Sequence, residues 1–207
     1  MSSEERRQRE QQELKRRILE TAREIARTEG WSSVTLRKIA ERIDYSHAAL
    51  YSYFANKEQL LLAILREGFE LLLADLSRAA RQATTPLESF RRSVFAYWSF
   101  AWRNPELYRV MYGLDGIPFG VAETWMEGTR IGEAAASVIM DLFEAQGRTV
   151  EQIDTKVFLL WSTLHGVIAL SMMGRLAGLP DDLTPLIEQV IHDTLRAWQI
   201  PEELEGP

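Results

Sequence analysis

Hydrophobic residues in this chain recur at three- and four-residue steps, which is the spacing of one face of an α-helix. The clearest stretch runs from residue 35 to residue 57, TLRKIAERIDYSHAALYSYFANK. Its first apolar stripe consists of Leu36, Ile39, Ala40 and Ile43. This spacing predicts a short helix from Thr35 to Ile43, with Thr35 as its N-cap. A second helix is predicted from Ser46 to Phe54, because the Ser46 hydroxyl is placed to cap the amides that follow it.

Two helices of this length are not stable alone, so they need a third helix to pack on. One is predicted from Leu14 to Gly30, where the apolar positions are Leu14, Ile18, Ala22, Ile25 and Ala26. A compact unit of three helices with a tight turn is typical of the helix-turn-helix, whose second helix enters the major groove of DNA.

The same periodicity, interrupted by capping residues, divides the rest of the chain into helices. They are expected from Asn56 to about Gln82, from Thr85 to Arg103, from Asn104 to about Tyr112, from about Val121 to Gln146, from Thr149 to about Ala177 and from Pro180 to Trp198. Residues 113–119 are expected to form a loop, and no stretch alternates as a β-strand does. The sequence therefore predicts an all-α protein of about nine helices.

Charge is distributed unevenly along the chain. The net charge of −6 argues at first against a nucleic-acid partner. Residues 1–60, however, hold twelve Lys or Arg against ten Asp or Glu, a balance of +2, which leaves −8 for residues 61–207. This asymmetry suggests a nucleic-acid-binding head on an acidic body, although +2 is a weak signal by itself.

Composition also bears on the cellular compartment. The chain has no cysteine, which excludes disulfides and cysteine-based zinc sites and fits a reducing cytosol. Its N-terminal stretch is charged throughout, unlike a signal peptide. The run from Val157 to Gly174 holds eighteen residues without a formal charge, which reaches the lower limit for a membrane span. Because this run contains Ser162, Thr163 and His165, we expect a helix buried on most sides, and hence a cytoplasmic protein without a membrane partner.

Residues 14–65, and in particular ILETAREIARTEGWSSVTLRKIAERIDYSHAALYSYFANKEQLL, resemble the DNA-binding head of TetR-family transcriptional regulators. The resemblance rests on an ordered set of positions, namely Thr35, Ile39-Ala40, Ser46, Leu50-Tyr51, Phe54 and Lys57-Glu58. It implies a helical ligand-binding and dimerisation domain after the head, and a repressor that a small molecule controls. The chain would then comprise a flexible arm at 1–13, a helix-turn-helix DNA-binding domain at 14–60 and a ligand-binding and dimerisation domain at 61–200.

The arm has two interpretations, which the sequence leaves open. The basic residues in and just after it would reach phosphates or a minor groove, namely Arg6, Arg7, Arg9, Lys15, Arg16 and Arg17. Alternatively, the arm is a solvating tail, since Glu4, Glu5, Glu10 and Glu13 offset most of that charge.

Family resemblance and physical chemistry assign the same contacts in the head. Thr35 and Lys57 each lie at a helix start, where hydroxyl, amides and ammonium are suited to phosphate. His47 is expected to hydrogen-bond a base edge, and the alanines beside it to touch a thymine methyl group. The expected DNA-binding residues are Thr35, Arg37, Lys38, Ser46, His47, Ala48, Ala49, Tyr51, Tyr53 and Lys57. The alternative is that Tyr51, Tyr53 and Phe54 only pack the head and that the helix-turn-helix serves protein contact. For Phe54 and Leu50 we expect the structural role.

Two residues in the predicted turn depart from the family pattern. Asp44 stands where the family commonly has glycine. Aspartate tolerates the left-handed conformation better than most residues, so we expect the turn to form, at some cost in DNA affinity from the negative charge. Tyr45 replaces a small aliphatic residue and is either core packing or an extra DNA contact.

The body is rich in bulky side chains between residues 90 and 126. Many of them are core, but the excess suggests an aromatic cavity for a small, largely apolar or aromatic effector. The expected effector-binding residues are Trp98, Trp102, Tyr108, Met111, Tyr112, Phe119, Trp125, Trp161 and His165. The run LWSTLHG at 160–166 and the run PELYRVMYG at 105–113 also resemble the Trp-His-Gly subclass of TetR-family bodies. His165 is either a pocket group or a core histidine, and we prefer the core role.

The last two helices have more apolar surface than one small body needs. One face contains Val157, Leu160, Leu164, Ile168 and Met172, and the other contains Leu183, Leu186, Ile187, Val190, Ile191, Leu195 and Trp198. We therefore expect a homodimer through these helices, matching two operator half-sites. No nucleophile–base motif, phosphate loop or metal-ligand spacing appears, so we expect neither an enzyme, nor a cofactor, nor a metal site. The alternative function is a ligand-independent DNA-binding architectural or scaffold protein.

Overall fold

The computed structural model describes residues 2–116, 121–176 and 182–201, and within these ranges the chain is helical and contains no strand. The helices are α1 (Ser3–Glu29), α2 (Leu36–Ile43), α3 (His47–Tyr51), α4 (Lys57–Arg81), α5 (Pro86–Arg103), α6 (Pro105–Met111), α7 (Val121–Glu144), α8 (Ile153–Met172) and α9 (Thr184–Ala197). A single 3₁₀ turn, Trp31–Ser33, lies between α1 and α2. The predicted all-α class is confirmed.

The helices fall into two compact units. The first comprises the described residues up to Gly68 together with Asn104–Thr124, and the second comprises Phe69–Arg103 and the described residues from Trp125 onward. Helix α4 contributes its first half to one unit and its second half to the other. Helix α6 packs against α1 in the first unit, a pairing that helical periodicity did not predict.

Helix α1 begins earlier than the sequence suggested. The predicted start at Leu14 is wrong, because the helix already begins at Ser3 and residues 3–13 are helical rather than an unstructured arm. The Ser2 hydroxyl accepts from the Glu5 amide at 3.2 Å, and the Glu5 carboxylate accepts from the Ser2 amide at 2.9 Å. This reciprocal capping box stabilises a helix start without any apolar face, so hydrophobic periodicity could not detect it.

The core of the first unit is built as the apolar stripes predicted. Ile18, Ile25, Ile39 and Leu50 are fully buried, and Phe54 is nearly so, which confirms the structural role of Leu50 and Phe54. At Gly68 on α4, an added Cβ would lie 2.6 Å from Met111 Sδ on α6. The absence of a side chain at position 68 therefore lets the two helices approach closely.

The second unit packs α5 against α8 and α9. Helix α5 starts and ends as predicted, since Thr85 Oγ1 accepts from the Glu88 amide at 3.1 Å while Glu88 accepts from the Thr84 amide at 2.7 Å. The apolar face of α9 is used within the chain: Ile187, Ile191 and Leu195 are buried. Helix α9 begins at Thr184. Its predicted start at Pro180 and the predicted end of α8 at Ala177 lie outside the described residues.

Helix α8 differs from the prediction in two ways. It begins at Ile153, not after a Thr149 cap, because Gln152 takes a left-handed conformation that interrupts the helical path. The prediction of burial on most sides is wrong: Leu164 and Ile168 are buried, but much of the helix is exposed. By length and composition α8 is the one helix of the described chain that would reach across a membrane, which is weak evidence for a membrane.

Candidate nucleic-acid interface and effector site

Helices α2 and α3 are capped by the hydroxyls that the sequence indicated. Thr35 Oγ1 accepts from the Lys38 amide at 3.1 Å, and Ser46 Oγ accepts from the Ala49 amide at 3.2 Å. Both predicted N-caps are therefore confirmed. Because each cap fixes the first turn of a helix, the exposed residues that follow it are held in a defined orientation.

The turn between α2 and α3 forms around Asp44, which has φ 58° and ψ 48°. The Asp44 and Tyr45 amides both donate to the Ala40 carbonyl, the latter at 3.0 Å. This arrangement satisfies the end of α2 with a left-handed residue, as glycine usually does. The expectation that aspartate supports the turn is confirmed.

The front of α3 presents small and polar groups to solvent. Ser46, His47 and Ala48 are exposed, and Ala49 is half-buried. Helix α3 ends at Tyr51, earlier than predicted, and the Tyr51 ring is 58% exposed. An exposed helix start with a hydroxyl, an imidazole and methyl groups matches the chemistry of base edges in a major groove.

The charged residues of α2 are paired with acidic neighbours. Arg37 Nε lies 2.9 Å from Glu41, and Lys38 and Arg42 both pair with Glu29. Hydrogen bonds from Arg37 and from Lys38 lower the pKa of Glu41 and of Glu29, respectively. Exposed pairs of this kind are weak, so phosphate oxygens can replace the carboxylates at small cost.

Lys57 lies at the first position of α4, and its ammonium is already engaged. Its Nζ donates to the backbone carbonyl of Trp31 at 2.7 Å, and burial lowers the pKa of Lys57. The start of α4 is capped as predicted, since Asn56 Oδ1 accepts from the Gln59 amide at 2.9 Å. The Gln59 side chain accepts from the Ala55 amide at 3.1 Å, which adds a second capping hydrogen bond.

Sequence reasoning missed one contact beside the turn. The Arg17 guanidinium on α1 lies 5.6 Å from the centre of the Tyr45 ring, and its Nη2 donates to the Ile43 carbonyl at 3.3 Å. The Tyr45 ring is exposed, which rules out the core-packing alternative for this residue. Arg17 and Tyr45 are 28 positions apart in the sequence, and no local pattern links them.

Several predicted effector residues meet in the second unit. Trp161 Nε1 on α8 donates to the Tyr97 hydroxyl on α5 at 3.0 Å, and the Trp161 ring stacks on His165 with 5.3 Å between ring centres. Burial lowers the pKa of His165, which favours the neutral imidazole. Trp98 and Trp102 form an edge-to-face pair at 5.3 Å. Tyr97 was not among the expected effector residues, although its aromatic ring on α5 is visible in the sequence.

The other expected effector residues are placed differently. Tyr108 and Met111 are buried in the first unit, where Tyr108 contacts the half-buried Tyr112 at 4.6 Å between ring centres. Trp125 is exposed on α7. Phe119 lies outside the described residues. The structure therefore does not bring the whole set together in one unit.

A shallow groove of about 480 Å³ lies elsewhere in the second unit, and it contains none of the expected effector residues. It is bordered by the end of α4, the start of α5 and the end of α7, with Asp141 and Glu144 as its charged side chains. Within the described ranges, no three His, Asp or Glu side chains lie close enough together to hold a metal ion.

Comparison with known families assigns both parts of the chain. Residues 18–64 match the bacterial regulatory proteins of the tetR family, and residues 90–194 match the tetracyclin repressor-like C-terminal domain. The chain therefore belongs to the TetR family of bacterial regulatory proteins, a class of helix-turn-helix DNA-binding regulators.

Individual relatives are similar over part of the chain. It is 36% identical over 101 residues to the HTH-type transcriptional repressor KstR of Mycolicibacterium smegmatis, across 49% of this chain and 50% of that protein. It is 33% identical over 85 residues to the nucleoid occlusion factor SlmA of Vibrio vulnificus, across 41% of this chain and 43% of that protein. The chain thus spans about half the length of these relatives or slightly less.

Solved structures share the fold over nearly the whole chain. A Rhodococcus protein of unknown function superposes with a TM-score of 0.74 at 24% identity, covering 92% of this chain and 96% of that one. The fatty acid degradation regulator FadR from Bacillus halodurans superposes with a TM-score of 0.71 at 17% identity, covering 86% of this chain and 96% of that one. At these identities the likeness concerns the fold alone.

Proposed function

We propose that this protein is a homodimeric transcriptional repressor that a small, largely apolar or aromatic effector releases from its operator. The observation that carries the proposal is the exposed start of α3, where the Ser46 cap holds His47 and Ala48 toward solvent. Membership of a family of DNA-binding regulators supports it, and so does the similarity of half the chain to a repressor.

The proposed DNA contacts divide into two kinds. His47, Ala48 and Ala49 at the front of α3 would read base edges. Phosphate contacts would come from hydroxyl, ammonium and guanidinium groups and would fix the position of the protein along the duplex. The residues that supply them are Thr35, Arg37, Lys38, Tyr51, Tyr53 and Lys57. Support for this division comes from exposure: the Tyr51 ring and the start of α3 face solvent, whereas Leu50 is fully buried.

For the effector, we propose a site on α5 and α8 beside Tyr97, Trp161 and His165. The Trp161–Tyr97 hydrogen bond and the stacked imidazole of His165 offer aromatic surface with polar groups. One turn before Tyr97, the Ser93 hydroxyl is buried with no hydrogen-bond partner among the described residues. A ligand that satisfies such a hydroxyl gains binding energy, since a buried polar group without a partner is costly.

The proposed homodimer interface lies on α8. Four exposed apolar residues lie on one side of this helix and at its end, namely Phe158, Leu159, Leu170 and Met173. Gly166 lies on the same side, and an added Cβ there would meet nothing within 4 Å. An apolar stripe with a small residue at its centre suits the close approach of a second helix. The apolar face of α9 is largely occupied within the chain, so α9 would contribute the rim of the interface.

One experiment tests the function in two arms. The purified protein selects duplexes from a random-sequence DNA library, and a selected duplex is then titrated with wild type and with His47→Ala. We expect the variant to lose about 1–3 kcal/mol of binding and to relax the preference at one position. If His47→Ala keeps both affinity and sequence preference, the base-reading role of His47 is wrong.

In the second arm, anilinonaphthalene sulfonate serves as an aromatic apolar probe of the effector site. We expect it to bind wild type and to weaken binding of the selected duplex, because a ligand that prefers the DNA-free state must lower DNA affinity. Trp161→Leu should reduce both effects, while Trp198→Leu, directly after α9, serves as a control for loss of an indole in the same unit.

A ligand-independent DNA-binding scaffold is the second candidate. The similarity to a nucleoid occlusion factor supports it. A protein whose DNA affinity stays constant when every tight-binding apolar ligand is bound would favour this second function.

A further inference from the structure

Trp31 joins α6 to the start of α4 within the first unit. Its side chain is 3% exposed, and its indole Nε1 donates to the backbone carbonyl of Glu106 on α6 at 3.0 Å. Its own carbonyl accepts from Lys57 Nζ at 2.7 Å. A single buried residue therefore receives a hydrogen bond from the proposed phosphate-binding lysine and gives one to a neighbouring helix.

On α6, an ion pair holds the residue whose carbonyl accepts the Trp31 hydrogen bond. Glu106 is 8% exposed, and its Oε1 accepts from Arg23 Nη2 at 3.0 Å. The same guanidinium reaches Glu67 Oε1 on α4 at 3.0 Å through Nη1. A buried carboxylate needs a well-placed partner, so Arg23 holds Glu106 in a defined position. The carbonyl that anchors the Trp31 indole is consequently held as well.

At the other end, the hydrogen bond restricts Lys57. A lysine ammonium has three donors on a flexible stem, and a free lysine loses rotamer freedom when it binds a phosphate. With one donor held by the Trp31 carbonyl, two donors remain for a phosphate oxygen. The half-buried stem has already lost much of its freedom before DNA arrives.

We propose that Trp31 is a positioning residue for DNA binding, which orders the Lys57 ammonium at the start of α4 for contact with a phosphate. This inference rests on the proposed DNA-binding function. It assigns a role to Trp31 that its burial alone would not give, since a merely structural tryptophan affects stability but not the number of phosphate contacts.

The test is a double-mutant cycle on the full-length protein. Affinity for a duplex selected from the random-sequence library is measured against salt concentration for wild type, Trp31→Phe, Lys57→Ala and the double variant. Phenylalanine keeps the buried ring but removes the indole donor. Lys57→Ala should reduce the salt slope by about 1. Trp31→Phe should lower affinity by about threefold to tenfold and move the slope toward that of Lys57→Ala.

In the double variant, Trp31→Phe should add no further loss, because its effect acts through Lys57. Trp198→Phe in the second unit is the matched control, and it should leave affinity and slope at wild-type values. If Trp31→Phe does not fold, Trp31→Met gives the same test, since its long, flexible side chain fills part of the buried volume and has no hydrogen-bond donor.

Two outcomes overturn the inference and leave the proposed function standing. In the first, Trp31→Phe binds with wild-type affinity and slope. In the second, the double variant loses as much binding free energy as Trp31→Phe and Lys57→Ala lose together. A third outcome, an unchanged Lys57→Ala, overturns both the phosphate role of Lys57 and the positioning role of Trp31. Failure of the proposed function is distinguishable from all three, because no duplex would then be selected.

Discussion

Asp44 adopts a left-handed backbone conformation, φ 58° and ψ 48°, in the turn that leads into α3. Side chains with a Cβ are strained there, and aspartate less so than most. The residue also places a negative charge two positions before Ser46, the cap of α3. Backbone strain and charge are separate effects, and two substitutions separate them.

We expect Asp44→Gly to raise the free energy of unfolding by up to about 1 kcal/mol, because glycine removes the strain. Asp44→Asn keeps a residue that tolerates this conformation and removes only the charge. It should leave stability unchanged and strengthen binding to the selected duplex about twofold to fivefold at low salt, an advantage that shrinks as salt rises. Thermal unfolding and DNA titration measure the two effects. Equal affinities of wild type and Asp44→Asn would show that the charge does not face DNA.

At the scale of helices, the bounds of a helix could be predicted from nearby residues better than the contacts between helices. Helices α2 and α5 follow from stripes and caps that lie within a few residues of one another, so their bounds were correct. The early start of α1 was missed because residues 3–13 begin with a capping box but have no apolar face. The exposed groups at the start of α3 were predictable in the same local way.

Contacts between distant positions were not predictable from the sequence. Arg23 and Glu106 are separated by 83 positions, whereas a local motif links residues only a few positions apart. Lys57 is expected to bind phosphate, but nothing near it in the sequence indicates that the Trp31 carbonyl accepts from its ammonium. The burial of α8 was overestimated, since an uncharged run fits a buried helix and an interface helix equally well.

Helix α8 provides the prediction at this scale. Leu159 is 63% exposed on the proposed dimer stripe, and Leu159→Glu would place a charge in that interface. We expect a monomer by sedimentation, an unchanged far-ultraviolet circular dichroism spectrum, and operator affinity at least about tenfold weaker because two half-sites are no longer bound together.

Met140→Glu on α7 is the matched control, because Met140 is also apolar and exposed. It should remain dimeric and bind DNA as wild type does. A Leu159→Glu protein that sediments as a dimer would move the interface away from this stripe.

For the whole molecule, the proposed homodimer leads to a prediction about DNA. A dimer that presents two copies of α3 should select a site with two inverted half-sites, whose centres lie about one helical turn or a multiple of it apart. Inserting about five base pairs between the half-sites turns one of them to the opposite face of the duplex, so affinity should fall more than about tenfold. Inserting about ten base pairs should restore part of the loss if the protein can span it. Equal affinity for all three duplexes would indicate independent binding of single heads.

The close approach of α4 and α6 has a consequence for the history of this protein. A Cβ at position 68 would lie 2.6 Å from the Met111 sulfur, so a larger residue at 68 requires the side chain at 111 to move or to shorten. Among homologous sequences, we therefore expect positions 68 and 111 to change together, with alanine or serine at 68 accompanied by a smaller residue at 111.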